Sequence, residues 1–371
     1  MDRLTRRGFL AGLVSGLALW PASAWVQDLA QSIIATDKNL EPLRVVAERA
    51  GIYYGTATSA DGLRDMPDLA AAIAKECNIV VPEYDLKWEA LRPTAESWNF
   101  DPVDRLLAFA EKNDMKVRGH TLVWHESFPR WARRQLHEDD GLGMLEEHIH
   151  TVVERYRGKL IVWDVVNEAI DNKSGHDRQM RKTPWLRALG PSYIDSAFTF
   201  AAEADPGAKL VYNDYGQEYP GGEKAKAILA LLHHLQDSKV PIHGVGMQAH
   251  LKVGSDIDRD NLGAFCCEVK RMGLDLLITE LDVKDENAPE DVGQADQRVA
   301  DKTHEFLDVV CSVVKPTQIL TWGLSDRATW LAMPDENPSG DPVRPLPLDV
   351  DCQRKLMWLT LYDEIKQMAK A

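Results

Sequence analysis

The sequence predicts an α/β fold, a (β/α)8 barrel closed in a single domain, and three observations lead there. Short apolar, β-branched runs alternate with longer stretches of helical spacing from about residue 40 to the end. Eight such runs can be marked out, the number a closed barrel needs. Polar residues gather at the C-terminal end of nearly every run, where barrels of this kind keep their chemistry. A doubly wound open sheet shares the alternation, and the polar strand ends favour the barrel over it.

The strand candidates, in order, are 53–58, 79–82, 116–124, 160–167, 209–214, 244–250, 275–281 and 318–324. The third closes on Trp124 and His125, the fourth on Asn167 and Glu168, and the fifth on Asn213-Asp214-Tyr215. The sixth closes on Gln248-Ala249-His250, and the seventh on Glu280-Leu281-Asp282. Helical spacing fills 102–113, 142–157, 193–204, 222–238, 261–272 and 295–313. Strands that alternate with helices imply crossover units and a parallel sheet.

Composition bounds the function. With 371 residues, 44% hydrophobic and 27% charged, and with Gly and Pro spread along the chain, the protein can bury a sizeable core, and disorder and collagen are excluded. A formal charge of −15 repels phosphate backbones and anionic lipid, so neither nucleic acid nor a membrane surface is an expected partner. Cys77, Cys266, Cys267, Cys311 and Cys352 are too few and too scattered for a disulfide scaffold, and an odd number leaves at least one thiol free. No CxxC pair or Cys/His cluster suggests zinc. Beyond residue 40 there is no Gly/Ser linker, Pro-rich hinge, charge block or internal repeat, so one domain and a monomer are expected.

The first residues read differently. Thr5-Arg6-Arg7-Gly8-Phe9-Leu10 precedes a moderately apolar run to Trp20 and then Pro21-Ala22-Ser23-Ala24, the order of a twin-arginine export signal. Cleavage is expected after Ala24, making 1–24 a signal peptide and 25–371 the working barrel, exported to the periplasm or beyond. An uncleaved anchor or a first helix is the plainer alternative, but the run is short and Gly-rich for a span of ~20 residues. The twin-arginine route carries folded cargo, so the cysteines need not pair.

The sharpest chemical feature is a pair of glutamates at strand ends. Glu168 ends Trp163-Asp164-Val165-Val166-Asn167-Glu168, and Glu280 sits in Ile278-Thr279-Glu280-Leu281-Asp282, three βα units later and so across a barrel mouth. Glycoside hydrolysis requires such a pair: one carboxyl protonates the leaving oxygen while the other attacks or activates water. Either glutamate alone would more often be a salt-bridged loop residue. The period of two puts Gln248 and His250 on one face and Glu280 and Asp282 on one face of the next strand. An imidazole bridging Glu280 and Asp282 would orient Glu280 and keep it ionised, the condition for a nucleophile. In the third strand the same period puts Arg118, His120, Leu122 and Trp124 on one face. Of 11 Trp, four fall at or just past strand ends: Trp88, Trp124, Trp322 and Trp330. Aromatic faces stack on sugar rings, although Trp88 and Trp163 read as core. Lys87 either donates to substrate hydroxyls or snorkels outward.

Taken together, Asp85-Leu86-Lys87-Trp88-Glu89, the run Arg118 to His125, Trp163 to Glu168, Asn213-Asp214-Tyr215, Gly246 to His250 and Ile278 to Asp282 resemble glycoside hydrolase family 10, the endo-1,4-β-xylanases. The likeness runs from about Tyr53 to the C-terminus in the family's order and spacing. It implies a (β/α)8 barrel and a retaining mechanism without a cofactor or metal, with Glu168 as general acid and then base and Glu280 as nucleophile. It also implies that His250 and Asp282 form the nucleophile's network, and that Asn167 holds the 2-hydroxyl of the sugar being cleaved. Glu83, Lys87, His120, Trp124, Gln248, Trp322 and Trp330 then line the glycone subsites, and Tyr215 is an aglycone-side aromatic. In retaining enzymes the two carboxyl groups stand ~5 to 5.5 Å apart, and the acid must keep its proton near neutrality while the nucleophile does not.

One departure stands out. The chain reads Glu83-Tyr84 where the family usually has Glu-Asn, so a phenol replaces an amide that normally hydrogen-bonds the sugar next to the cleaved one. Xylan or a related β-1,4-linked polysaccharide is the expected partner. Three alternatives stand beside it: another retaining β-glycanase such as a cellulase, a non-catalytic glycan-binding barrel, and a metal-dependent barrel hydrolase using His120, His125, His243 and His250. The last is disfavoured because the only HxH pair, His148 and His150, falls in a helical stretch.

Overall fold

The computed structural model describes residues 40–138 and 141–370, and the segment read as an export signal, 1–24, lies outside the described residues. Among the described residues nine strands form the sheet: β1 (Tyr53–Thr58), β2 (Ile79–Pro82), β3 (Lys116–Val123), β4 (Val162–Asn167), β5 (Lys209–Asp214), β6 (Gly244–Met247), β7 (His250–Lys252), β8 (Asp275–Lys284) and β9 (Gln318–Thr321). Every pairing is parallel, in the order β6-β5-β4-β3-β2-β1-β9-β8-β7, and the β6–β8 pairing closes the ring. Because β7 continues the stave of β6 along β8, the nine segments make eight staves and an eight-stranded closed barrel.

The sixth expected strand, 244–250, is broken in two. Ala249 takes a left-handed φ of +60°, a conformation no ladder residue adopts, and separates β6 from β7. The seventh runs three residues past its expected end, to Lys284, because β7 gives its tip a partner. In β3 the ladder to β4 shifts between His120 and Val123, and the His120–Thr121 peptide is cis.

The six helical stretches form Asp101–Lys112, Gly141–Arg155, Tyr193–Ala204, Glu223–Asp237, Arg259–Arg271 and Val292–Val313. Side-chain caps set two of the starts. Asp258 accepts from the Asn261 N–H at 3.1 Å and Asp291 from the Gln294 N–H at 2.8 Å, so both helices begin before their apolar periodicity does. Helices Leu43–Ala50, Pro67–Glu76 and Leu356–Met368 complete the outer ring where the chain's ends meet. There the buried Glu76 carboxylate accepts from the Leu43 N–H at 3.0 Å, from the Trp358 indole at 3.1 Å and from Arg354 at 2.6 Å.

The main core lies between barrel and helices, and a second small cluster of Ala57, Ile79, Val81, Leu320 and Trp322 fills the inside. The barrel interior is also charged. Arg118 on β3 pairs with Asp164 on β4, both 1% exposed, and reaches across the axis to Gln318 Oε1 on β9 at 3.1 Å. Gly119 is required beside this pair, since a Cβ there would stand 2.2 Å from the Trp163 ring. Among the described residues no helix is long and apolar enough to cross a membrane. All five cysteines are free.

Candidate active site

The C-terminal ends of the staves bring Glu168 and Glu280 into one hydrogen-bonded assembly. Glu280 rides on β8 and is 5% exposed. Its Oε1 accepts from Asn213 Nδ2 at 2.7 Å, and its Oε2 meets His250 Nε2 at 3.3 Å. Asn213 is fixed in turn: Thr279 Oγ1 donates to its Oδ1 at 2.8 Å, and its second amide hydrogen goes to Asn167 Oδ1 at 2.9 Å. Gly246 on the intervening strand makes this crossing possible, because any Cβ there would lie 2.1 Å from Asn213 Oδ1.

The His250 ring stands between two carboxylates, with Nδ1 2.9 Å from Asp282 Oδ1 and Nε2 facing Glu280. Burial favours the neutral ring, but the charges of Asp282 and Glu280 and their hydrogen bonds prevail and raise its pKa well above the ordinary value. The effect on Glu280 is reciprocal. Burial opposes its charge, yet the His250 hydrogen bond and the charges of His120, His250 and Lys87 hold it down at about 2. A carboxylate kept ionised in a buried site is the electronic state a nucleophile needs. Trp330 completes the arrangement by donating its indole N–H to Asp282 Oδ2 at 2.7 Å.

Glu168 has different surroundings. It follows β4 directly, with a left-handed φ of +58°, strained for any residue but glycine. Both of its peptide groups are pinned: its N–H donates to the Asn213 carbonyl at 2.9 Å, and its carbonyl accepts from Arg181 Nε at 2.7 Å. Its Oε1 accepts from Gln248 Nε2 at 3.0 Å and Asn167 Nδ2 at 3.2 Å. Gln248 also donates to Asn167 Oδ1 at 3.2 Å, so amides alone connect the two glutamates.

On one side of the pair lie the residues expected as glycone contacts. Lys87 turns inward, its Nζ 4.6 Å from the Trp124 ring and 5.9 Å from Trp322. Burial lowers its pKa, opposed by Glu280, Glu83, Glu168 and Glu126 around it. Glu83 is pushed up by burial, Lys87 opposing and Asp85 and Glu280 adding. His120 presents its edge to Trp322 at 5.2 Å and bonds Asp164 Oδ2 through Nδ1 at 3.0 Å. On the other side Tyr215 is 37% exposed, its hydroxyl accepting from Arg181 at 2.8 Å and its ring backed by Lys224 at 3.2 Å.

Several residues that the sequence placed near strand ends do not join this assembly. Trp88 is buried, donates to the Leu122 carbonyl at 2.6 Å and stacks on His148 at 3.6 Å, so it is core, as is Trp163. The four histidines of the metal alternative do not converge: His243 Nδ1 accepts from the Leu210 N–H at 3.0 Å, near the opposite end of β5. Among the described residues no group of three or more His, Cys, Asp or Glu is placed to hold a metal ion.

The residues that reasoning from sequence left without a role are the connectors. Asn213, Thr279 and Asp164 lie inside the recognised motifs, but only the barrel's closure shows which neighbours they bind. A lone carboxylate in the apolar run Val162-Trp163-Asp164-Val165-Val166 was a readable signal of a buried partner, here Arg118. Arg181 and Lys224 offered none, since they lie in loop and helix well away from the strand ends.

Two carboxylates at the C-terminal mouth of a closed eight-stave barrel, one held ionised and the two joined by amides, define a glycoside hydrolase. The chain matches the Glycosyl hydrolase family 10 profile over residues 42–364 and belongs to that family. It is 34% identical over 296 residues to endo-1,4-beta-xylanase B of Thermotoga neapolitana, which covers 78% of this chain and 83% of the relative. It is 33% identical over 336 residues to exoglucanase XynX of Acetivibrio thermocellus, covering 85% of this chain and 29% of that protein. Its fold superposes on xylanase 10B of Thermotoga petrophila RKU-1, solved in complex with xylobiose, with a TM-score of 0.80 at 30% identity, covering 90% of this chain and 99% of that one.

Proposed function

We propose that this protein is an endo-1,4-β-xylanase that hydrolyses internal β-1,4-xylosidic bonds of xylan with retention of configuration. Glu280 attacks the anomeric carbon as the leaving oxygen takes the proton of Glu168, giving a glycosyl-enzyme ester and a shortened chain. Glu168, now a carboxylate, takes a proton from water, whose oxygen displaces Glu280 and restores both groups. Asn167 receives the 2-hydroxyl, and His250 and Asp282 keep Glu280 charged and oriented. Glu83, Lys87, His120, Trp124, Gln248, Trp322 and Trp330 bind the glycone sugars and Tyr215 the aglycone.

The single observation that carries this reading is the Glu280 carboxylate, buried, bonded at both oxygens by Asn213 and His250, and linked by amides to Glu168. The test is release of reducing ends from xylan, cellulose and arabinose-substituted xylan, with the product anomer read by NMR. The β-anomer from internal cuts in xylan is expected; an α-anomer overturns the double displacement, and turnover of cellulose alone overturns xylan as the substrate. Tyr84, 44% exposed where the family has an amide, favours a second reading, a β-1,4-glycanase of mixed sugar preference.

The same reading includes export by the twin-arginine route and activity outside the cytoplasm. Mass spectrometry of exported protein is expected to find an N-terminus at Trp25; a retained Met1 overturns the export assignment.

A further inference from the structure

The loop that leaves β9 is tied down by a buried cluster of charges that the reaction does not use. It begins at Trp322 and ends at Trp330. It departs through Gly323 with a φ of +105°, so close to Leu346 that a Cβ there would stand 2.7 Å from Leu346 Cδ1. Midway along the loop the Asp326 side chain is fully buried. Its Oδ1 accepts from the Leu346 N–H at 3.0 Å, and its Oδ2 lies 2.7 Å from Lys355 Nζ.

Lys355 is also buried, and its ammonium serves three segments of the chain. Besides facing Asp326, it donates to the Arg344 carbonyl at 2.9 Å and lies 3.7 Å from Asp296 Oδ1 on helix Val292–Val313. Arg344 completes the cluster with a forked pair of bonds to Asp296, at 2.7 and 2.8 Å. Among the described residues Lys355 is the cation in ion-pair range of Asp326. Burial pushes Asp326 up to about 6 against that ammonium, and burial lowers the pKa of Lys355 against Asp326 and Asp296, so each charge depends on the other.

This cluster shares a frame with the nucleophile. The Pro345 carbonyl accepts from the Val283 N–H at 3.2 Å, next to Asp282 at the tip of β8. Three residues on, the Leu348 carbonyl accepts from the Asp326 N–H and its N–H donates to the Leu324 carbonyl, each at 3.0 Å. The Lys355 N–H in turn donates to the Pro347 carbonyl at 2.9 Å. The segment 344–348 therefore joins the loop to β8, and the Trp330–Asp282 hydrogen bond spans the same two sides. How firmly the loop is held to that segment sets whether the indole reaches the carboxylate.

We infer that Lys355 is a positioning residue for the nucleophile: its ammonium fixes the loop so that the Trp330 indole meets Asp282 and, through Asp282 and His250, keeps Glu280 in line. The inference rests on the double-displacement reading and deepens it. Lys355 acts through the network behind Glu280, so its loss falls on kcat more than on KM.

The test separates position from stability. Lys355→Met alone leaves Asp326 buried and unpaired, whereas Lys355→Met with Asp326→Asn removes both charges together, which a buried pair tolerates far better. In the full chain this neutral pair is expected to melt near the wild type by circular dichroism. It is nevertheless expected to turn over xylan with kcat lowered about tenfold, inside the ~10²-fold that a misplaced group can cost. Added to Trp330→Phe, which removes the indole N–H, it is expected to cost nothing more, because both changes break one path. Asp326→Asn alone keeps the side chain's shape and leaves Lys355 its bonds to Arg344 and Asp296. A smaller loss with the same coupling is expected of it, and it decides the matter should the neutral pair fail to fold. Wild-type kcat in a folded neutral pair overturns the inference, and so does a raised KM at unchanged kcat. Losses that multiply with Trp330→Phe overturn it too. A wild type that cleaves cellulose and not xylan sinks only the choice of xylan, and the same cycle on cellulose then tests Lys355. Where neither is cleaved the double displacement fails, and the nitrogen resonances of the His250 ring test the positioning by themselves. They are expected to move alike in the neutral pair and in Trp330→Phe, and resonances left in place by the neutral pair overturn the inference.

Discussion

Glu168 and Glu280 are the same residue at equivalent places in the fold, yet the two halves of the mouth treat them oppositely. The Glu280 half is built from charge. His250, Lys87 and His120 surround a buried carboxylate and hold its pKa at about 2 against the cost of burial. The Glu168 half is built from neutral amides and a strained backbone, with Gln248 and Asn167 both on Oε1 and the peptide fixed at each end by Asn213 and Arg181. A group that must stay charged needs fixed opposite charges around it, and one that must give and retake a proton needs a fixed position.

The largest expected effects remove each carboxyl. Glu280→Ala and Glu168→Ala should each lower release of reducing ends from xylan by at least ~10³-fold. An aryl xylobioside with an acidic phenol should separate the halves, because its leaving group needs no proton: Glu168→Ala should still release a burst of phenol, and Glu280→Ala none. A burst from Glu280→Ala would reverse the two roles.

Next comes the support beneath both halves. Asp164→Asn leaves Arg118 charged and unpaired inside the barrel, where both groups are 1% exposed. Loss of one partner of a buried pair costs about 3–5 kcal/mol, to be read from urea denaturation. A loss under ~1 kcal/mol, the scale of exposed pairs, would show that the barrel interior admits solvent there.

Removing the charge beside Glu280 should cost less than removing the carboxyl. His250→Asn is expected to lower kcat/KM by about 10²-fold, within the span of a general electrostatic contribution to catalysis. Without the imidazolium, burial raises the Glu280 pKa, so the acidic limb of the pH–rate profile should move to higher pH; an unmoved limb would mean that Lys87 and His120 suffice. The stability linkage has its own sign. The raised pKa of His250 contributes stability that is full below the ordinary imidazole value of 6.5 and is lost as pH rises through the folded value. The Tm gap between wild type and His250→Asn should therefore be widest on the acid side of neutrality and narrow as pH rises.

The smallest effect should fall on the Glu168 side. Arg181→Gln releases the Glu168 carbonyl and the Tyr215 hydroxyl together, and a loss of about tenfold in kcat/KM is expected, the scale of one lost charged hydrogen bond. The loss should be greater for substrates that place a sugar over Tyr215 than for aryl glycosides. An equal loss on both would mean that Arg181 acts on Glu168 alone.

Much of this was legible in the sequence. The strands 53–58, 79–82 and 209–214 can be read to the residue, most plainly Ile79–Pro82, an apolar run between Asn78 and Glu83. The pairing of His250 with Glu280 and Asp282 follows from alternation on neighbouring strands. The exceptions are informative: the break at Ala249 and the irregular ladder after His120 are backbone events that no side-chain pattern encodes. Trp88, read from the sequence as core despite its place at a strand end, is core and stacks on His148.

The class of fold, the two carboxylates and the aromatic residues around them are written in hydrophobic period and residue type, which are local properties of the chain. Which polar groups connect them depends on the closing of the barrel. Asn213, Gly246, Asp164 and Arg181 act through neighbours 13 to 67 residues away, and those contacts exist only once the ring of staves is closed. The low pKa of Glu280 is likewise a property of distances across the barrel mouth, which no stretch of sequence contains.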